Sequence, residues 1–212
     1  MIKVWGRATS SNVQTVVWAL AELGLDFERY DVGGVFGGNK TPEFLAMNPN
    51  GLVPVVQIGD TYLWESGAVV RCLGALHGDE AFWPADPVHR ATLDRWGEWT
   101  KTTLVPAFIT GVFWPSISKR EGERDEDAIR AGAEKLKAVA RILDGRLAES
   151  DYIGGDTLCF ADIIAGALLY RYFDLDFERA DTPHLRAYYD RLTKRPAYAE
   201  HVMISYDSLR AK

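Results

Sequence analysis

Two places in the first third of the chain combine residue types and spacing that can act on a bound molecule. Ser10-Ser11-Asn12 sets two hydroxyls and an amide where a strand-like run, Ile2-Lys3-Val4-Trp5, gives way to Val13, Val16, Val17, Leu20 and Leu23 at helical spacing. Glu65-Ser66 opens a second helical face, Ala68, Val69, Cys72, Leu73 and Leu76. The first turn of a helix carries unpaired N–H groups and the positive end of its dipole, so it favours an anion. A hydroxyl there can donate to that anion. Both places also suit a plainer role. Ser10 and Ser11 are good helix caps, and Glu65 suits an acidic first turn.

Other residues exclude chemistry rather than suggest it. Cys72 and Cys159 are too few and too far apart for a disulfide framework. Cys72 sits on the apolar face of its helix and reads as a small core residue. His77, His89, His184 and His201 show no ligand spacing, so no metal site is expected. The glycines at 33, 34, 37 and 38 lack the strand–loop–helix context of a phosphate loop. They form a loop over the site instead.

These residues stand in a chain of 212, with 24 basic and 30 acidic side chains and a net charge of −6. Hydrophobic content of 47% and charged content of 25% are those of a globular protein. The acidic balance argues against a nucleic-acid partner. No run approaches the roughly 20 apolar residues of a membrane span. Met1 to Trp5 lacks the basic start and long apolar stretch of a signal peptide, and cysteines are scarce. A cytoplasmic protein is expected.

The elements that must position the chemistry change character near residue 80. Up to there the order is βαβ then αββα, with strands expected at Phe27 to Val32, Val53 to Val56 and Thr61 to Leu63. A short helix starts at Thr41-Pro42. Beyond residue 80 the strand pattern stops. Asp86-Pro87 is a helix start, cap then proline. Ile129, Leu136, Val139, Ile142, Leu143 and Leu147 mark a long amphipathic helix. Ile163, Ile164, Ala167 and Leu168 mark a nearly all-apolar one, the expected buried centre of this half. Domains of residues 1–80 and 87–212 follow. The first holds five basic residues and nine acidic ones.

Several motifs in order carry a resemblance. They are Ser10-Ser11-Asn12, Asn48-Pro49-Asn50-Gly51-Leu52-Val53-Pro54-Val55, Trp64-Glu65-Ser66-Gly67-Ala68, Pro84-Ala85-Asp86-Pro87, Gly155-Asp156 to Ala161-Asp162-Ile163, and Lys194-Arg195-Pro196-Ala197. The series resembles the glutathione transferases, in their serine-type, theta-like bacterial branch, across essentially the whole chain. The resemblance implies a thioredoxin-like α+β N-terminal domain and an all-α C-terminal domain. It implies glutathione as co-substrate, a homodimer, and no metal. Its alternative is a glutathione-binding or regulatory module of the same fold without turnover.

The family's task is to make the glutathione thiol a thiolate at neutral pH. A free thiol titrates near ~8.5, and lowering that by about two units takes roughly 2.7 kcal/mol. A hydroxyl hydrogen bond to sulfur at a helix N-terminus can supply it. The working serine of relatives lies two residues before a proline or opens a Ser-Ser-Cys run, which points to Ser10. Here that third position is Asn12, so Ser11 and the Asn12 amide stay candidates. A Cys-x-x-Cys pair at this turn would mean dithiol chemistry, and none is present.

The resemblance implies further roles. Val53-Pro54 would be cis and would present the Val53 backbone to the tripeptide as an added strand; by itself the proline suits an edge strand equally. Ser66 would take the γ-glutamyl carboxylate and Glu65 the ammonium. Lys40 would meet the glycyl carboxylate or be a solvated loop lysine. Phe113, Trp114 and Tyr170, with Phe108 and Phe173 nearby, would line a cleft for a flat apolar electrophile or belong to the core. Asp162 would cap the central helix, with Cys159 where relatives have Ser or Thr.

Overall fold

The computed structural model describes residues 1–211. Four strands, β1 (Ile2–Trp5), β2 (Phe27–Tyr30), β3 (Val55–Ile58) and β4 (Thr61–Trp64), form one sheet in the order β2-β1-β3-β4. β1 pairs parallel with β2, Ile2 opposite Phe27, and antiparallel with β3, Val4 opposite Val56. β3 and β4 are antiparallel around Gly59-Asp60. Parallel neighbours need a crossover, and α1 (Ser11–Glu22) supplies it. α2 (Pro42–Met47) starts from Thr41, whose hydroxyl accepts from the Phe44 N–H at 3.3 Å. α3 (Ser66–His77) follows β4 and packs against α1. This is the thioredoxin-like unit that the resemblance implies.

From Pro87 the chain is helical. α4 (Pro87–Trp99) is capped by Asp86, whose carboxylate accepts from the His89 N–H at 2.6 Å. The helix then widens to π geometry over Thr100–Leu104 and Pro106–Phe113, and ends in α5 (Trp114–Ile117). Pro106 lacks the N–H an α-ladder would need, and it sits inside this widened run. α6 (Glu126–Leu147) lies across it. α7 (Phe160–Gly166), α8 (Leu169–Asp174), α9 (Pro183–Leu192) and α10 (Pro196–His201) complete the unit.

α7 is buried at every position. The Asp162 carboxylate accepts from the Ile153 and Cys159 N–H groups, both at 2.8 Å, and from the Tyr188 hydroxyl at 2.9 Å. Burial pushes its carboxyl up, and these donors pull it back. The Asp162 cap is thus realised through the carboxylate.

One core joins both halves. α1 is apolar nearly all round, and it packs on α3, α7 and α10. Trp18 meets Tyr198 edge to face at 4.8 Å and donates to Glu22 at 2.8 Å. Arg195 clamps the same Glu22 through two nitrogens at 2.8 and 2.6 Å. Arg71 on α3 pairs with Asp94 and Glu98 on α4. Cys159 is fully buried, whereas Cys72 is only half-buried.

The widened helix touches α6 through two glycines. A Cβ on Gly132 would stand 2.1 Å from the Gly111 carbonyl oxygen, which is backbone and cannot step aside. Gly145, on the exposed side of the same helix, has no atom within 4 Å of that position. Gly132→Ala should therefore lower stability by about 2 kcal/mol or more. Gly145→Ala should raise it by about 0.5–1 kcal/mol, because alanine is the better helix former. Urea midpoints of the two variants check the opposite signs.

Candidate active site

The site is built around the N-terminus of α1. Gly6 ends β1 with φ +156°, and a Cβ there would meet Val13 at 2.4 Å and Val53 at 3.1 Å. Only glycine lets the β1–α1 turn lie this close to the Val53-Pro54 segment. The turn is held from several sides. Arg29 donates to the Gly6 carbonyl at 2.8 Å, Gln14 to the Ala8 carbonyl at 3.0 Å, and Arg171 to the Thr9 carbonyl at 2.6 Å.

Ser10 is the cap residue by backbone, its carbonyl accepting from the Gln14 N–H at 2.9 Å. Its side chain makes no capping bond. The residue is nonetheless buried, and its hydroxyl borders a cavity rather than capping the helix. Ser11 is the first helical residue, and its carbonyl accepts from Thr15 at 2.9 Å. The Asn12 amide oxygen accepts from the Ser66 hydroxyl at 3.0 Å and from the Lys101 ammonium at 2.9 Å. Lys101 also donates to the Ser66 hydroxyl at 2.7 Å.

The second and third sequence groups converge here. Val53-Pro54 is cis and lies just before β3, outside the strand where sequence spacing had put it. Glu65 is the sole non-glycine residue with positive φ among the described residues, at +66°, and it caps α3 by position alone. Such a backbone costs on the order of 1 kcal/mol and persists where it serves a site. Ser66 follows it, buried, in the first turn. Lys40 lies along the approach to Val53, donating to the Asn50 carbonyl at 3.1 Å, while Asn39 donates to the Gly51 carbonyl at 2.8 Å.

A cavity of about 190 Å³ opens over this turn. Ser10, Ser11 and Asn12 form one side. Lys101, Val105, Ile109 and Trp114 form the facing wall. The first two steps of four suit an α-helix too, and the step of five to Trp114 falls in the widened π segment. The resemblance implies Phe113, Trp114 and Tyr170 for this wall, with Phe108 and Phe173 nearby. Of these, Trp114 lines the cavity. Phe113 is fully buried beneath Arg171 and Tyr206, and Tyr170 meets Tyr206 at 6.4 Å; neither reaches the cavity wall. Phe108 and Phe173 belong to an aromatic cluster with Tyr172. A broader cleft of about 500 Å³ lies at Glu22, His77, Tyr152 and Arg195, away from all three motifs, and its main charges are already paired.

Three cations line the cavity that sequence reasoning missed: Arg7, Lys101 and Arg171. Arg171 had a visible signal, being a lone arginine within the apolar run from Ile163 to Phe173. Lys101 had none. Burial lowers the Lys101 ammonium to about 8; the charge of Arg71 adds to this, and Glu65 and Glu98 oppose it. Burial lowers Arg171 to about 10, with the charge of Arg7 adding.

Residues 1–74 match the family model described as glutathione S-transferase, N-terminal domain, and residues 101–196 match the corresponding C-terminal domain. The glutathione S-transferase GstB of Escherichia coli K12 is 38% identical over 206 residues, covering 96% of this chain and 99% of GstB. The chain belongs to the glutathione S-transferase family. Glutathione S-transferase 4 of Zea mays is 32% identical, covering 92% of this transferase and 89% of its own length. A crystal structure of the theta-class enzyme of Xanthomonas axonopodis pv. citri with glutathione bound superposes with a TM-score of 0.91 at 41% identity. It covers 96% of this chain and 98% of that one.

The Lys101 environment makes this transferase's stability depend on pH in a definite direction. The lysine binds its proton less tightly folded, about 8, than unfolded, 10.5. Its charge therefore opposes folding below pH 8, and the penalty is relieved as pH rises toward 10.5. Relative to Lys101→Met, the wild type should gain about 2–3 kcal/mol between pH 7 and 10. Parallel urea titrations measure this, and a constant difference would mean an ordinary solvated lysine.

Proposed function

We propose that the chain is a glutathione transferase in which Ser10 donates its hydroxyl hydrogen bond to the glutathione sulfur. The observation that carries this is the uncapped Ser10 hydroxyl at the α1 N-terminus, on the wall of a cavity, with Val53 packed beside Gly6 and Ser66 bonded to Asn12 in the same turn. The sulfur there meets a donor and the positive end of the helix dipole together, and both favour the thiolate. Ser11 is one residue further along the helix. The Asn12 amide oxygen is held by Ser66 and Lys101, so its contact with the sulfur would have to come from the NH2 group, one position beyond Ser11.

The tripeptide would run away from Ser10 along Val53. There the Val53 backbone, next to the cis Val53-Pro54 bond, would pair with the cysteinyl N–H and C=O like an added strand. Ser66 would hold the γ-glutamyl carboxylate with its N–H and hydroxyl, and Glu65 the ammonium. Lys101 joins this group: its half-buried ammonium lies on the Ser66 hydroxyl, and a carboxylate arriving there would give it a direct anionic partner. Lys40 stands at the far end, by the Asn50 carbonyl, for the glycyl carboxylate. The thiolate then attacks an electrophile lodged against Trp114 and the widened helix. The sulfur–carbon bond forms as the leaving group departs or the double bond accepts the electron pair.

A homodimer and a cytoplasmic setting complete the proposal. Tyr62 and Trp64 on β4 and Val88 on α4 are exposed apolar residues that a second copy would cover. No helix among the described residues is long and apolar enough to cross a membrane.

The thiolate absorbance of bound glutathione tests the sulfur contact. Ser10→Ala should raise its pH midpoint by about one to two units, the worth of a charge-assisted hydrogen bond. Ser11→Ala should leave it within a few tenths. A shift confined to Ser11→Ala would move the role there. No thermal stabilisation by millimolar glutathione would sink the proposal.

A further inference from the structure

On the footing of the transferase reading above, we infer that the cavity beside Ser10 is built for a compact electrophile bearing one carboxylate, held by Arg7 and Arg171. No carboxylate among the described residues lines this cavity, although three cations do. At the seam between the two halves, by contrast, Arg71 faces Asp94 and Glu98, and Arg195 faces Glu22.

Arg171 is 3% exposed. One terminal nitrogen is spent on the Thr9 carbonyl at 2.6 Å, with a long contact to Gln14 at 3.4 Å. Its Nε is buried without a partner, and so is the Nε of Arg7. A buried charged donor left unmet is costly, and two side by side repel as well. Arg171 is nonetheless fixed in place, its guanidinium 5.0 Å from the Phe113 ring centre and 6.0 Å from that of Tyr206. An anion in the cavity would not touch the buried Nε atoms, but it would offset both charges and take the terminal nitrogen of Arg171 that Thr9 leaves free. A carboxylate matches the planar guanidinium fork.

The tripeptide's own carboxylates have other partners in the site, Ser66 with Lys101 at one end and Lys40 at the other. Arg7 and Arg171 are left over on the electrophile's side. The remaining wall there, Ile109, Trp114 and Leu168, is apolar. The fitting substrate is thus a short apolar or aromatic body with its carboxylate on the arginines and its reactive carbon toward Ser10. A volume of about 190 Å³ excludes large ones.

The pair 4-(chloromethyl)benzoate and 4-(chloromethyl)benzamide isolates the charge. In either, the glutathione thiolate attacks the benzylic carbon, the C–S bond forms, and chloride leaves with the C–Cl electron pair. The thiol proton has already passed to solvent. Rates are expressed as kcat/KM over the uncatalysed reaction with glutathione, which cancels intrinsic reactivity. The benzoate should be favoured about tenfold or more, and Arg171→Gln and Arg7→Gln should each cut that preference about tenfold. Arg7 is less buried than Arg171, so Arg7→Gln remains informative if the other variant does not fold. Turnover of the amide with no preference for the benzoate overturns the inference and leaves the transferase reading standing. An unchanged preference in Arg7→Gln with a raised KM for glutathione places Arg7 on the tripeptide and overturns its role here. No turnover of either compound, with glutathione still stabilising the protein, also overturns the inference. Loss of that stabilisation as well overturns both readings.

Discussion

The position of one helix N-terminus governs the rest of the site. A hydroxyl can stabilise a thiolate only if its donor is already aimed when the sulfur arrives, since reorganisation would consume the gain. The chain meets this by burying α1 on nearly every side and tying both of its ends. Glu22 at the C-terminal end is gripped by Arg195 from the helical half. At the other end Arg29, Gln14 and Arg171 take the carbonyls of Gly6, Ala8 and Thr9. Two of these ties come from residues more than 150 positions away. The β1–α1 turn is therefore braced from both halves, by Arg29 and Gln14 from its own unit and by Arg171 from the helical one.

The widening of the helix from Thr100 to Phe113 has a related logic. An α-helix running past the cavity would bring a side chain to the wall every three or four residues. Lys101, Val105 and Ile109 keep that spacing, and it is the five-residue step to Trp114 that the wider turns allow. Pro106 makes the wide form less costly, because an α-ladder would lose a hydrogen bond there in any case. The close passage of Gly111 against Gly132 lets α6 brace the widened segment from behind. Lys101 thus reaches Asn12 and Ser66, elements of the other half, and bridges the two helix N-termini on which the tripeptide would rest.

Much of this was legible in the residues, and the gaps have physical causes. The β1–α1 junction, the Asp86 cap with Pro87, the buried α7 and the two-part organisation follow from periodicity and capping rules that depend on near neighbours. The strand expected at Val53 begins two residues later, at Val55, because Pro54 has no N–H to give the ladder. The cavity wall was not legible. Phe113 and Tyr170 suit a cleft by the resemblance, yet Phe113 is buried in the core and Tyr170 packs on Tyr206, partners far off in sequence. Nor could Lys101 be found, since nothing near it in sequence marks it as partly buried. Arg171 stood out in its apolar run, but its partner, the Thr9 carbonyl, lies 162 residues away.

Charge shows why local arrangement outweighs composition. The protein is net −6, and its first eighty residues carry nine acidic side chains against five basic ones. A uniform field of that sign would repel glutathione and any anionic electrophile alike. Exposed charges, however, are screened within about 10 Å in ordinary salt. Inside the cavity screening is weak, and the charges that count there are Arg7, Lys101 and Arg171, all three pushed down by burial. A lowered lysine or arginine is a cation short of an anion. The free energy that burial withholds from these groups is returned when a carboxylate binds, so the same desolvation that weakens the empty site strengthens the filled one.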